Sequence, residues 1–492
     1  MLGGGPLLAV ASLLTACNPH TLRRPDNAPI AAPAAFQGGK SGATAAPARW
    51  WTLFGDHKLD ALEDRLLGRN LDLEQAVARA EQLGALARAS GSGWWPTISA
   101  NAGVSKSKSV MRFPSPAGGS QVVENENTVY NASLAASYEI DFWGKVKHGE
   151  LAAQADQAGA VLQIQALAMT LSSTLADSWF MLVEQRAQKR LVEAQLETNA
   201  QLLELVQLRF DNGLADAVAV LQQREQMART QAQLPLFDAR IQVFENALAV
   251  LVRDIPGGDV ATGETLPELP ALPAVPVPGE VLAQRPDVAA ALARIEATDH
   301  RIAVAIASRL PTLKLNGSIG LQAFELANFL ESTIWNIGAQ IGGLIWDGGR
   351  LDAEKDRIKA ALREQIAAYA SVTLTALKEV EDALVREQQQ HLHLEFLDVQ
   401  LGIARQLLED SRVRYSEGVG DYLPVLTAVR TLQSLEQGRL SAQRQLISYR
   451  IALYRALGGD WQQVLANTQR VPLAQQNAAQ APKTQAPKTQ GH

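Results

Sequence analysis

YNASLAASYEIDFW, residues 130–143, is the stretch on which the reading of this chain turns. Tyr130, Ala132, Leu134, Ala136, Tyr138, Ile140 and Phe142 are apolar, and the residues between them, Asn131, Ser133, Ala135, Ser137, Glu139 and Asp141, are small or polar. A period of two makes a strand with one greasy and one wet face. After Trp143 the period becomes helical, and no proline occurs until Pro235. That predicts one helix from about Lys145 to Phe210, roughly 100 Å long at 1.5 Å per residue.

Upstream, helical patterns run from about Asp56 to Leu67 and from Leu71 to about Ser90. Pro96 then opens a strand in which Ile98, Ala100, Ala102 and Val104 alternate with Thr97, Ser99, Asn101 and Gly103. The segment from about Lys106 to Asn127, rich in Lys and Ser and with two prolines, reads as a long exposed loop joining the two strands. Downstream, Arg209-Phe210-Asp211-Asn212-Gly213-Leu214 ends the long helix, with glycine as the stop signal and Asp216 placed to cap the next helix. That return helix runs to about Val252, and Pro235 is expected to kink it.

The pattern then starts again. Ala78-Arg79-Ala80-Glu81 ends fifteen residues before Pro96, and Ala293-Arg294-Ile295-Glu296 ends fifteen residues before Pro311. Pro311-Thr312 opens a third strand with Leu313, Leu315, Ile319 and Leu321 on one side, and a fourth spans Trp335 to Ile345. Ile345-Trp346-Asp347-Gly348-Gly349-Arg350 echoes Asp141-Phe142-Trp143-Gly144-Lys145, and a second proline-free helix reaches Arg414. Arg414-Tyr415-Ser416-Glu417-Gly418-Val419 matches Arg209 to Leu214 at an offset of 205 residues, which puts Asp421 on Asp216 and Leu426 on Leu221. The chain is a tandem duplication of helix, strand pair, long helix, tip and return helix. The expected organisation is a leader over 1–16, an extended tether over 17–49, a first repeat over 50–254, a proline-rich link over 255–279, a second repeat over 280–461 and a low-complexity tail over 462–492.

Composition narrows the function. Of the 492 residues, 5% are aromatic and 47% hydrophobic, a fraction that leans on Ala and Leu, which favours long helices packed through small residues. A net charge of −6 argues against a nucleic-acid surface, and a single cysteine excludes internal disulfides and cysteine-based zinc sites. After the first fifteen or so positions no run of 18 apolar residues occurs, so no helix is expected to cross a bilayer. Enzyme signals are poor. His391 and His393 point to different helix faces, Glu379 and Asp382 sit among basic residues as on a solvated face, and Gly39-Lys40-Ser41 lacks the earlier glycine of a phosphate loop, having Ala34 there.

Four strands of about ten residues suit the outer-membrane hydrocarbon layer when tilted. Alone they leave two open edges in lipid, and the smallest closed membrane barrels have about eight strands, so strands must be pooled between copies. Faces of Ser, Asn, Gln and Gly suit a water-filled lumen. The alternative is a soluble sheet buried against helices. The long helices carry Leu191, Leu196, Leu203 and Leu205 between Gln, Glu and Arg, a coiled-coil stripe that needs neighbours.

Leu14-Thr15-Ala16-Cys17 closes a short apolar leader and resembles the lipobox of bacterial lipoproteins. That resemblance implies removal of residues 1–16 and attachment of diacylglycerol and an acyl chain to Cys17. Together with Arg285-Pro286-Asp287-Val288, the Pro-Thr strand openings and the paired Gly-Leu and Gly-Val tips, it makes the chain similar to the TolC-type outer-membrane efflux proteins, in the NodT-type lipoprotein branch serving resistance-nodulation-division pumps. The likeness spans roughly Trp50 to Trp461. It implies a mixed α and β fold in which tandem-duplicated long helical hairpins form a trimeric α-helical tunnel, joined to a shared 12-stranded transmembrane β-barrel with four strands per subunit. The partners implied are two further copies, a periplasmic adaptor, an inner-membrane pump and outer-membrane lipid, with no cofactor, metal or nucleic acid. The function implied is a passive exit duct for small toxic compounds or drugs. A duct of a type I protein-secretion system and a non-conducting trimeric scaffold lipoprotein are the alternatives.

The resemblance also places Gly213, Leu214, Gly418 and Val419 at tips that meet the adaptor. Tyr415 matches the family's gate tyrosine, but Ala219, Pro424 and Thr427 stand where the family has acids. Asp216, Asp421 and Arg430 are nearby polar substitutes, and Leu423 or Val425 could form an apolar constriction instead.

Overall fold

The computed structural model describes residue 20 and residues 33–37, 47, 49–114, 120–260, 263, 265–269, 272–273 and 275–466. Cys17, the leader and most of the tether and tail lie outside the described residues. Ten α-helices and four strands are described: α1 His57–Arg69, α2 Leu71–Gly91, β1 Thr97–Pro114, β2 Ser120–Ile140, α3 Lys145–Asp211, α4 Ala217–Gln231, α5 Leu234–Leu251, α6 Pro278–Gln284, α7 Pro286–Ala307, β3 Thr312–Ala323, β4 Thr333–Gly342, α8 Arg350–Ser416, α9 Tyr422–Leu457 and α10 Trp461–Ala466. They form two compact units, the first built mainly from Glu81–Gly159 and Leu292–Ala368, the second mainly from Ala160–Ala291 and the chain from Tyr369 onward. Each unit draws on both sequence repeats.

The first unit holds an antiparallel sheet of order β1-β2-β3-β4. Its register sorts the side chains as the period of two demands. Ala100, Leu134, Ile319 and Trp335 form one row across the four strands, and Ile98, Ala136, Gly317 and Ile337 the next. The opposite face carries Thr97, Ser137, Asn316 and Gly338 in one row and Ser99, Ala135, Ser318 and Asn336 in another. Ser137 Oγ donates to Asn316 Oδ1 at 3.0 Å within that polar face. At Gly320 a Cβ would lie 2.3 Å from the Ala132 carbonyl oxygen, so only glycine lets β3 lie this close to β2. β1 and β4 are the open edges.

The expected loop over Lys106 to Asn127 is largely strand. β1 and β2 stay paired from Thr97↔Ser137 to Pro114↔Ser120, whereas β3 pairs with β2 only as far as Tyr130↔Ala323. A two-stranded ribbon therefore continues past the four-stranded region. Polar side chains lie on both its faces, Lys106, Lys108, Glu124 and Glu126 on one and Ser105, Ser107, Asn125 and Asn127 on the other, so no hydrophobic alternation marks it, and cross-strand ion pairs Lys106–Glu126 and Lys108–Glu124, each 2.7 Å, accompany the backbone ladder.

The corner echo also has a physical basis. Asp141 accepts from Val146 N and Lys147 N at 3.0 and 2.9 Å, and Asp347 accepts from Gly349 N and Leu351 N, both at 3.0 Å. Each aspartate satisfies amides at the start of a helix of 67 residues, α3 and α8 respectively.

In the second unit an aromatic core forms around Trp50 and Trp51. Trp50 stacks on Tyr454 at 5.7 Å, Trp51 meets Trp461 at 6.0 Å and Phe54 meets Phe180 at 4.9 Å. Arg285 of the Arg-Pro-Asp-Val motif is buried, donating to both Asp287 oxygens at 3.1 and 2.7 Å and to the Ala456 carbonyl at 3.0 Å. Its ion pair with Glu379, 2.8 Å, shows that Glu379 is a packed partner and not part of a solvated face; Asp382 is solvated, paired with Lys378 at 2.8 Å.

Two further expectations are corrected. Pro235 divides the first return helix instead of kinking it: lacking an N–H, it starts α5 after a turn at Ala232 and Gln233. The tail boundary moves from 462 to beyond Ala466, because α10 buries Val464 and Leu465. One 18-residue window of α3 reaches a mean hydropathy of 1.3, enough by composition for a span, but 61% of it is buried within the protein, as in a packed core helix.

Candidate functional site at the helix tips

The α3–α4 and α8–α9 connections share one construction. Gly213 and Gly418 take φ of 72° and 81°, the left-handed region open to glycine. Leu214 N then donates to Arg209 O at 2.8 Å and Val419 N to Arg414 O at 3.0 Å, closing both long helices with the same six-residue backbone bond. Asp216 caps α4 by accepting from Ala219 N at 2.9 Å. Asp421 stands at the corresponding position of α9 but makes no capping bond.

Sequence symmetry does not carry over to packing. Beneath the tips, Leu202, Val206, Val220, Tyr415, Tyr422, Val425, Leu426 and Val429 form one buried cluster. Tyr415 is buried while its repeat mate Phe210 is exposed, and Leu426 is buried while Leu221 is exposed. Val425, fully buried, cannot line a passage, which removes it as a constriction; Leu423 is exposed. Thr427 Oγ1 is committed to the Leu423 carbonyl at 2.9 Å, and Arg430 donates to Gln226 Oε1 at 2.7 Å and pairs with Glu225. Leu214 and Val419 stand exposed beside their glycines, and Val218 and Leu221 of α4 and Leu423 of α9 are exposed as well.

Arg209 joins the two hairpins. It donates to the carbonyl oxygens of Tyr415 and Ser416 at 2.6 and 2.9 Å, and its guanidinium lies 4.5 Å from the centre of the Tyr415 ring. Those carbonyls are at the negative end of α8, where a cation is favoured. The Tyr415 ring packs on Tyr422 at 5.3 Å, and the Tyr422 hydroxyl donates to Gln223. Burial pushes both tyrosine hydroxyls above their ordinary pKa, with Arg209 opposing the shift at Tyr415 and Arg430 at Tyr422. Both phenols are therefore neutral at neutral pH. Sequence reasoning named Tyr415 and Arg430 but missed Arg209, Tyr422 and Gln223. The available signal was the repeat offset, which sets Tyr415 against Phe210.

A sheet with one apolar and one polar face, open at both edges and continued by long helices that end in glycine tips, defines a class: subunits of outer-membrane ducts. The chain belongs to the outer membrane efflux protein family, whose model matches residues 62–252 and 277–459. It is 30% identical over 462 residues to the pyoverdine export outer membrane protein OpmQ of Pseudomonas putida, covering 93% of this chain and 97% of that protein. It is 25% identical over 423 residues to the probable outer membrane lipoprotein SilC of Salmonella typhimurium, covering 84% of this chain and 88% of that one. The solved outer-membrane channel OprN matches with a TM-score of 0.81 at 25% identity, over 91% of this chain and 100% of that one. The protein is an outer-membrane efflux channel with a periplasmic helical tunnel and is not an enzyme.

Proposed function

We propose that the chain acts as a homotrimer, anchored through lipid on Cys17, and forms the passive exit duct of a tripartite system that expels small toxic compounds or drugs. The observation that carries this reading is the sheet itself. Four strands with a lipid-compatible face, a polar face and two unpaired edges are stable in a bilayer only when neighbouring copies close the ring. A second observation agrees: α8 exposes Val385, Leu392, Phe396, Val399, Ile403 and Leu407 at helical spacing, a stripe suited to a helix of another copy.

The tips Gly213-Leu214 and Gly418-Val419 are the docking points for the adaptor's helices, since they combine exposed aliphatic side chains with glycine that admits a close backbone. The closed tip is held by Arg209 on the α8 terminus, with Tyr415, Tyr422 and Arg430 in support and exposed Leu423 as the apolar narrowing. Asp216, Asp421 and Thr427 have lesser parts, because Asp216 and Thr427 are engaged with backbone of their own helices. A duct selects by width and charge, so cargo is set by the pump. The test is mass measurement of the purified protein followed by single-channel recording in a planar bilayer. Three copies and discrete conductance steps are expected; a monomer, or a trimer that never conducts, overturns the proposal.

A further inference from the structure

Helix α8 contains Gly402 and α9 contains Gly438, each well inside a long helix. Glycine weakens a helix interior relative to alanine and is normally tolerated there for close packing. Within one subunit neither site has that reason: a Cβ built on either glycine meets nothing within 4 Å, and both residues are exposed.

Their heights coincide. Gly402 lies between Asp398 and Arg405, and Gly438 between Glu436 and Arg439; Arg439 pairs with Asp398, and Arg405 lies 3.8 Å from Glu436. The two glycines thus sit inside one rectangle of ion pairs. The break between α4 and α5 falls at the same level, because Gln437 Nε2 donates to Gln233 Oε1 at 3.2 Å. By the repeat offset Gln233 is also the counterpart of Gly438. Three of the four helical runs in this part of the second unit are weakened at one height. Only α3 passes it unbroken.

A set of amide hydrogen bonds crosses this level. Gln437 Nε2 donates to Gln195 Oε1 at 3.1 Å, Gln195 Nε2 to Gln433 O at 3.3 Å, Gln226 Nε2 to Gln433 Oε1 at 3.0 Å, and Gln433 Nε2 to Asn199 Oδ1 at 3.1 Å. A primary amide both donates and accepts, so neighbouring glutamines can exchange partners one bond at a time. A leucine ridge would have to leave its groove first. On the far side α9 is fixed by the aromatic core through Tyr454 and by the buried Arg450–Glu387 pair. Motion of the tip cannot be a slide of the whole helix.

We propose that Gly402, Gly438 and the Ala232–Gln233 break form a hinge level, about which the tip-side segments of α8, α9 and α4 swing against continuous α3 when the channel opens. The inference rests on the reading that the tip opens, and the test separates the two. The trimer is purified with Gly402→Ala and Gly438→Ala together. Gly149→Ala, a glycine of α3 that also has open space around its Cβ, serves as the control for helix stabilisation alone.

In the parent protein, amides around 402 and 438 are expected to exchange with deuterium faster than those a turn away. The double variant should slow them about two- to five-fold, the factor a glycine-to-alanine change gives a helix interior. In an Arg209→Ala background, the double variant should reduce open-channel time at least several-fold while Gly149→Ala leaves it unchanged. Uniform exchange through both glycines in the parent overturns the hinge whether or not the tip reading stands. So does an Arg209→Ala channel that opens equally well with both alanines present. An Arg209→Ala channel that stays shut counts against the tip clamp, and the exchange measurement alone then decides the hinge.

Discussion

Replacing Arg209 by alanine removes a side chain that ties the α3 tip to the carbonyl end of α8. Two bonds are lost, at 2.6 and 2.9 Å, together with the contact to the Tyr415 ring. A bond to a charged group contributes about 1.5–3 kcal/mol, and the low end applies here because the Ser416 contact is exposed. An exposed cation–π contact adds about 0.5–1 kcal/mol. Overlap between these terms leaves a total of about 3 kcal/mol per subunit, which at about 1.4 kcal/mol per decade is roughly a hundredfold shift of each tip toward open. Arg209→Lys keeps a cation near the helix end, about 0.3–1 kcal/mol, but loses the planar fork, so it should fall between. The assay is single-channel recording of purified trimers, supported by sensitivity of cells to a large antibiotic that the closed duct excludes. Open probability should rank alanine, lysine, arginine from highest to lowest. An alanine variant that assembles normally yet stays as closed as the parent refutes the clamp.

Three other outcomes are expected. Gly213→Arg with Gly418→Arg puts a long side chain where φ is positive and the adaptor must approach, so pump-dependent resistance should be lost while the trimer persists; normal resistance in the double variant refutes the docking role. Gly320→Val drives a side chain into the Ala132 carbonyl and should cost at least about 3 kcal/mol, seen as loss of the heat-modifiable trimer band, whereas Gly338→Ala, which meets open space, should insert normally. Glu63 is fully buried with neither carboxylate oxygen hydrogen-bonded, and burial raises its pKa well above the ordinary range, against a smaller opposing effect of Ser172. The folded state therefore holds this proton more tightly than the unfolded state. Stability from it is full below the unfolded pKa, about 4.3, and is lost as pH rises toward the folded value, at about 1.4 kcal/mol per unit of displacement. Glu63→Gln should gain on the parent in unfolding experiments as pH goes from 4 to 8; parallel curves would refute this.

What the chain discloses before folding follows from where water and lipid sit. The strands over 130–140 and 312–323 were legible because lipid on one face and a wet lumen on the other force alternation, and the register keeps those faces apart row by row. The ribbon of residues 105–114 paired with 120–129 was not, because polar side chains lie on both its faces and Ser, Lys, Asn and Glu there resemble a loop. Helix ends were legible wherever one residue decides them, as Gly213 and Gly418 do. They were misread at Pro235, where a missing N–H restarts a helix that periodicity alone would carry through.

The tip clamp illustrates the limit most sharply. Arg209 and Arg414 are equivalent by offset, as are Asp216 and Asp421, and the sequence separates the two arginines only through the residue that follows each, Phe210 against Tyr415. Folding breaks the equivalence by burial: Tyr415 occupies the cluster under the tips while Phe210 stays out, and the ring that a tip guanidinium meets belongs to the second hairpin. Arg209 then meets both a ring and two helix-end carbonyls, and Arg414 is left exposed. The duplication keeps the arginine and the glycine of each tip in register, and the exchange of phenylalanine for tyrosine, with the packing that follows, is what lets one hairpin hold the other.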